Sequence, residues 1–391
     1  MTELFDPLDG RWLLNKFEIY KTLRNRDTAY WSEKYQMHVV TRYDDVVYAL
    51  SNPDIFSSAQ GNLIIETEPG RFGNTLGASD NPAHDTYKNI VKEAYSKENI
   101  NRVCNLMGEK ARGLLTGKRE VNISEIIEHL SAWVTAEILN IPHDKEKVKD
   151  FIVDIQRHAD QAVKYNTNNH TFDSLMEIIF VSVYEAQTPA SGPGIYQEYV
   201  KHKPNKFHIT ALFLGPTLSG AASMSSALEF LTLDLFRTDT LDQVVNDRSL
   251  IPNAINESLR YHASTGRFSR TVLKEVNLHG VTMRPGDRVA LCLDSANRDP
   301  AKFSEPDKFI ISRDTTGVAF GHGVHACIAL AISKAAMNVY LNVLLDEMGK
   351  YTILTADSDL EYLIPASGNN DMITNLHIEK TTNYAFSNVT A

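Results

Sequence analysis

The ten residues from Phe320 to Ala329, Phe-Gly-His-Gly-Val-His-Ala-Cys-Ile-Ala, end a glycine-bent loop on one cysteine, just before a helix-forming run from Leu330 to Leu345. Any fold for this chain must present that loop–helix junction. A thiolate there would project from tight backbone near the positive end of a helix, which lowers a thiol pKa. The plainer alternative is that Cys327 is a small buried hydrophobe, the common fate of a lone cysteine.

Composition narrows the setting. The chain has 391 residues, enough for one large or two ordinary domains, with 43% hydrophobic and 23% charged residues, as in globular proteins. Its three cysteines, Cys104, Cys292 and Cys327, form no C-x-x-C pair, which argues against a disulfide framework and a structural zinc site. A net charge of −10 disfavours nucleic acid or an anionic membrane as general partner, while leaving room for a local basic patch that docks an acidic redox protein. The first residues, Met1 to Pro7, have neither a basic region nor an apolar core, so they do not read as a signal peptide. No run of eighteen apolar residues occurs, so no membrane span and a cytoplasmic location are expected.

The order of elements is mostly helical. Met37–Thr41 reads as a strand and Asp44–Asn52 as a helix, with Asp44 or Asp45 as its cap. A glycine-bearing loop follows from Ser57 to Asp80. Ile123–Leu139, Lys147–Lys164 and Asp173–Ala186 carry apolar residues at helical spacing, and Thr188–Gly194 is a breaker. Val276–Met283 alternates as a strand, turns at Arg284–Asp287 and continues as Arg288–Leu293. Tyr351–Lys380 reads as short strands and turns. The fold class is therefore mainly α with small β-sheets (α+β). No linker divides the chain, and a single domain spanning residues 1–391 is expected.

Several motifs stand in a telling order. The loop itself fits F-x-x-G-x-H-x-C-x-[GA], Glu257 and Arg260 form E-x-x-R, and Ala296-Asn297-Arg298-Asp299-Pro300 is followed by Phe303, Pro306, Phe309 and Arg313. Upstream stands Asp80-Asn81-Pro82-Ala83-His84. In this combination, over roughly residues 35 to 380, the chain resembles soluble bacterial cytochromes P450. The resemblance implies the cytochrome P450 fold and haem b with Cys327 as the axial iron ligand, a thiolate whose electron donation favours O–O cleavage. It implies that His84, Lys88, Arg270 and His325 hold the haem propionates through charge-assisted hydrogen bonds. Phe320 belongs to the same cofactor site. Glu257, Arg260 and Arg313 would form a buried network bracing the loop. On spacing alone, Glu257 and Arg260 could equally be a solvated surface pair. A usual propionate histidine is replaced by Gly317. His322 and His325, lacking further ligands, do not read as a metal pair.

The distal segment departs from the family pattern [AG]-G-x-[DE]-T-T. Ser219-Gly220 replaces Ala-Gly, Ala222 replaces the acid and Ser223 replaces the threonine. No Asp or Glu occurs from Lys206 to Leu228. Pro216 should bend or locally open this helix, and Gly220 would leave room beside the iron. Gly220, Ala222 and Ser223 are the distal catalytic candidates. Protons could come through water and Ser223, through a substrate hydroxyl, or be made unnecessary by peroxide.

This acid-poor helix also resembles that of P450s that demethylate methoxy compounds. The expected reaction is thus O-demethylation of a small polar methyl ether, a methylated sugar or methoxyphenol, with release of formaldehyde. Electrons would come from a ferredoxin or flavodoxin with its NAD(P)H reductase, since no such module is recognisable in the chain. The substrate-side candidates are Thr265, Arg267 and Phe268, within a donor-rich stretch from His262. The loops Ser57–Asn62 and Gly368–Asp371 are expected to face substrate, and Ser57–Asp80 and Thr188–Gly194 to give access. Hydroxylation of another small substrate, a peroxide-driven enzyme, and a haem-thiolate sensor are the alternatives.

Overall fold

The computed structural model describes residues 3–66, 72–165, 177–178, 192–202, 208–314, 317–364 and 367–381. The expected helix Asp173–Ala186, apart from residues 177–178, and most of the breaker that follows it lie outside the described residues.

Periodicity translates closely into structure where one face is apolar. Ile123–Leu139 is a helix with those bounds, and Asn140 closes it in the left-handed conformation (φ 45°). Its neighbour Lys145–Tyr165 starts slightly earlier than the pattern predicts. Ile123–Leu139 lies at the centre of the helical half, packed against Ala221–Arg237 on one side and Lys97–Leu115 on another. Leu330–Met348, the helix after the cysteine loop, lies along Lys97–Leu115. The two approach so closely that a Cβ at Gly108 would sit 3.2 Å from Val339. This largest apolar cluster runs from Tyr87 to Ile378 and so joins distant parts of the sequence.

The main sheet has five strands in the order Tyr30–Ser32, Met37–Val40, Arg288–Cys292, Arg267–Val272, Phe56–Ser57. Met37–Val40 runs parallel to Arg288–Cys292 with Val39 opposite Ala290, and the other pairings are antiparallel. Glu120–Asn122, Tyr351–Ile353 and His377–Lys380 form a second sheet. The segment read as one alternating strand, Val276–Met283, is instead a hairpin of Val276–Leu278 and Val281–Met283. His279 (φ 48°) and Gly280 (φ 69°) make its turn with the two positive φ angles that tight hairpins require. Gly280 comes so close to the carbonyl of Asp27 that a Cβ would lie 2.6 Å away. Among the described residues, no helix is long and apolar enough to cross a membrane.

Candidate active site

The cysteine loop is shaped by two glycines. Gly321 (φ 71°) and Gly323 (φ 70°) adopt left-handed backbone, and a Cβ on Gly323 would stand 2.6 Å from the Leu50 carbonyl. The loop therefore lies hard against the end of helix Tyr43–Ser51. Backbone bonds from Gly321 to Val318 (2.8 Å) and from Cys327 to Phe320 (2.9 Å) close it. Cys327 has open surface, yet that surface faces an internal cavity rather than bulk solvent. Burial pushes its thiol pKa up, and the Ala329 amide pulls it only partly back. The expectation that the helix terminus lowers this pKa is thus corrected: desolvation outweighs the amide, and a cation held at the sulfur would favour the thiolate.

Behind the loop lies a buried charge network. Arg260 grips Glu257 through two bonds (2.9 and 2.7 Å), and both side chains are buried. Arg313 reaches the same carboxylate at 3.2 Å. Glu257 also accepts from the Ile310 amide (2.7 Å). The remaining Arg260 donors go to the carbonyls of Asn297 (2.9 Å), Pro306 (2.8 Å) and Lys308 (2.9 Å). Asn297 carries the connection onward, its Oδ1 accepting from the Val318 amide at 2.7 Å. The same oxygen would lie 2.1 Å from a Cβ at Gly317, so glycine there makes room for the brace.

On the cavity rim, His84, Lys88, Arg270 and His325 come together although they span 242 residues of sequence. The rings of His84 and His325 meet edge to face at 4.4 Å. Lys88 donates to the Val324 carbonyl (3.2 Å) and Arg270 to the Ser269 carbonyl (2.7 Å). Burial depresses the pKa of all three shifted groups. His84 moves down, Arg270 falls to about 10, and His325 is pushed to about 3 by burial and then by the charges of Arg270, His84 and Lys88. His325 Nε2 is buried without a hydrogen-bond partner. Basic groups crowded around an apolar cavity, one with an orphaned nitrogen, fit a flat ligand carrying carboxylates, and the thiol below fits its metal.

Across the cavity runs a long helical stretch. His208–Gly215 continues through a π-helical segment, Pro216–Gly220, into Ala221–Arg237. The opening expected at Pro216 is this π segment, where the missing proline N–H cannot sustain regular bonding. Gly220 and Ser223 line the cavity, whereas Ala222 is buried and is not part of its wall. The Ser223 hydroxyl donates to the Ser219 carbonyl at 2.7 Å.

On the substrate side, Thr265 and Phe268 line the cavity, but Arg267 does not. Arg267 is fully buried on the opposite face of its strand, paired with Asp371 at 2.8 Å and lying over the Trp12 ring at 5.1 Å. Lys16 joins the cluster through Asp371 (2.6 Å) and Asp294 (3.4 Å). The expected substrate contact is therefore corrected to an internal ion cluster. Strand alternation carried the signal, because Arg267 must face opposite to Phe268 and Arg270. Gly368–Asp371 likewise serves this clamp, with Asn369 donating to the Arg267 carbonyl (2.7 Å). His262 turns from the cavity to Asp234 (2.9 Å) and stacks on Phe230. One acid escaped the sequence reading: Glu229, one residue past the acid-free window, is fully buried in the distal helix.

Comparison with known proteins agrees with this geometry. The profile described as Cytochrome P450 matches residues 237–348. Pulcherriminic acid synthase of Bacillus subtilis strain 168 is 24% identical over 371 residues, covering 88% of this chain and 91% of the relative. The biotin biosynthesis cytochrome P450 of the same organism is 24% identical over 397 residues, with 93% and 96% covered. Among solved structures, cytochrome P450 CREJ in complex with (4-ethylphenyl) dihydrogen phosphate superposes with a TM-score of 0.84 at 19% identity, covering 96% of this chain and 99% of that one.

Proposed function

We propose that this chain is a haem-thiolate monooxygenase of the cytochrome P450 family, whose profile matches residues 237–348, and that it removes a methyl group from a small, polar methyl ether. The family cofactor is haem b with an axial cysteine thiolate, and Cys327 is the residue for that role. When bound, the haem supplies dioxygen activation: with two electrons and two protons, one oxygen atom enters a substrate C–H bond and the other leaves as water. Bacterial relatives draw those electrons from external partners such as ferredoxin, and a ferredoxin or flavodoxin with its NAD(P)H reductase serves here.

The chain's own residues do the rest. His84, Lys88, Arg270 and His325 hold the two propionates. Glu257, Arg260 and Arg313, acting through Asn297, hold the loop so that the sulfur faces the cavity. Phe320 packs at the cofactor edge. On the distal side, Gly220 keeps space open, Ala222 packs behind it and Ser223 offers a hydroxyl. Thr265 and Phe268 receive the substrate, one with a hydrogen bond and the other with an apolar face. A methoxy carbon oriented toward the metal becomes a hydroxymethyl ether, a hemiacetal. It then loses formaldehyde as the ether oxygen takes a proton to become a hydroxyl.

The observation that carries this reading is the mixed lining of the substrate side, where Ser223, Ser264 and Thr265 interrupt a wall that includes Leu76, Leu212 and Phe268. The ligand of the CREJ structure, a phosphate ester of an alkylphenol, has a comparable polar head on an apolar body. A peroxide-driven reaction is the second reading, favoured by Ala222 in place of the acid.

A spectral screen of methoxyphenols and methylated sugars against the ferric holoenzyme tests the proposal. A low-spin to high-spin shift, followed by one formaldehyde per turnover, supports it. Silence from every methyl ether overturns the substrate class. Full activity with hydrogen peroxide alone, and none with reductase and NAD(P)H, selects the second reading.

A further inference from the structure

The wall that carries Thr265 and Phe268 is backed by four buried charges. Lys16, from helix Gly10–Arg24, reaches Asp371 at 2.6 Å and Asp294 at 3.4 Å. Arg267 reaches the same two carboxylates at 2.8 and 3.8 Å. Two cations thus face two anions. The cluster is not saturated, for Arg267 Nε and Nη1 and Asp294 Oδ2 are buried without hydrogen-bond partners. Buried charges hold little stability over an apolar filling of the same volume, because desolvation cancels most of their attraction. Stability alone is therefore a poor reason for such a cluster, and its place in the fold points to another.

Arg267 and Phe268 are consecutive on strand Arg267–Val272, so alternation sends Arg267 into the cluster and Phe268 into the cavity. Arg267 is the first residue of its strand and pairs with Cys292, the last of the neighbouring strand. The ladder ends there, and the cluster takes over from it. Asp371 follows Asn370, which bridges Thr265 in an antiparallel joint. Asn369 completes that joint. Its carbonyl accepts from the Gly266 amide (3.0 Å), and its Nδ2 donates to the Arg267 carbonyl (2.7 Å). Its Oδ1 accepts from the Ile64 amide (3.2 Å), which ties in the loop after Phe56–Ser57. From the other side, the Asp294 amide donates to the Gly266 carbonyl (3.1 Å). A Cβ on Gly266 would meet the Asp294 carboxylate at 2.6 Å, so glycine is what lets these two segments touch. The four charges therefore clamp residues 265–268 between residues 369–371, Asp294 and the first helix.

We propose that the cluster of Lys16, Arg267, Asp294 and Asp371 sets the substrate specificity of the cavity from behind, by fixing the position of Phe268 and so how an aromatic ring is received there. Arg267 and Asp371 touch no ligand. They act through Phe268 and are positioning residues. The inference rests on the cavity being the haem and substrate site, and not on the methyl-ether substrate. When the clamp is loosened, the start of the strand shifts and the Phe268 ring shifts with it, while the cysteine loop and its charge network, which share no residue with the cluster, stay as they are.

The test uses the ferric holoenzyme and two azoles that bind iron through a ring nitrogen, imidazole and 4-phenylimidazole, each titrated by the red shift of the Soret band. Only the second carries an aryl group for the wall to receive. In Asp371→Asn the ratio of the two dissociation constants moves against 4-phenylimidazole by roughly three- to tenfold, the range for spoiling one aromatic contact. Imidazole binding and the ferrous–CO spectrum keep their wild-type values. Arg267→Met combined with Asp371→Leu removes one cation and one anion, leaves Lys16 facing Asp294, and guards against a folding defect in the asparagine variant. It shows the same shift in the ratio. Phe268→Ala moves the ratio likewise, and adding Asp371→Asn to it brings no further change, because the cluster then has no ring to position. An unchanged ratio in both cluster variants, equal losses for the two azoles, or effects of Asp371→Asn and Phe268→Ala that simply multiply overturn the proposal. A wild type whose Soret band does not respond to imidazole sinks the haem-thiolate reading and this inference with it, an outcome distinct from the other three.

Discussion

The two walls of the haem cavity are built on opposite principles. The proximal wall is densely bonded: Glu257, Arg260, Arg313 and Asn297 bind one another and the backbone, and of their side-chain nitrogens Asn297 Nδ2 is left without a partner. The distal wall is slack: it contains a π segment at Pro216–Gly220, and Ser225 and Ser226 have hydroxyls without partners. A metal–sulfur bond must be held in one geometry, so every brace on that side is fixed. Oxygen and substrate must enter and leave on the other, where Pro216, Ser219 and Gly220 of the π segment line the cavity.

The largest effect tests the proximal wall at its centre. Cys327→Ser removes the red-shifted ferrous–CO band and brings product formation to background, as read by a CO difference spectrum. Retention of that band would remove Cys327 from its role. Next in size, Arg260→Leu strips the buried Glu257 carboxylate of its two-bond partner and leaves it only Arg313 and the Ile310 amide, and unfolding free energy from denaturant titration drops by about 3–5 kcal/mol. Arg260→Lys does not restore it, because a point charge cannot replace a fork that serves five acceptors. A loss near that of an ordinary surface pair would erase the contrast between the walls. The smallest effect concerns the ion cluster behind the sheet. The neighbouring Arg267 and Lys16 hold the Asp371 carboxyl down at about 2 against the cost of burial. Its folded-state pKa lies below the unfolded one, so the contribution is fully present above about pH 4 and is lost as pH falls toward 2. It amounts to roughly 2 kcal/mol. Thermal unfolding of Asp371→Asn between pH 2 and 6 therefore shows a shallower acid limb than wild type.

Much of this was legible in the chain. Short motifs at fixed separations named Cys327, His84, Lys88, Arg270 and His325, and the structure places all five on one cavity. Helices such as Ile123–Leu139 were readable because one apolar face repeats with the helical period. What failed did so for identifiable reasons. Arg267 looked available because arginines are usually exposed, and only its pairing with Asp371, 104 residues away, shows what encloses it. The strand Val276–Met283 hid a turn because His279 gives no turn signal unless its positive φ is known. Glu229 lay five residues past the segment that the motif covers, just outside the acid-free window Lys206–Leu228.

By itself, then, the sequence determined which residues could ligate, brace and bind, since those choices rest on side-chain chemistry and local spacing. The tertiary structure alone decided which of them are enclosed together. It paired Lys16 with Asp371 and Asp294, set the Cys327 thiol toward a cavity that raises its pKa, and buried Glu229 deep enough to keep its proton. Desolvation and long-range pairing depend on what surrounds a group in space, and no local stretch of residues contains that information.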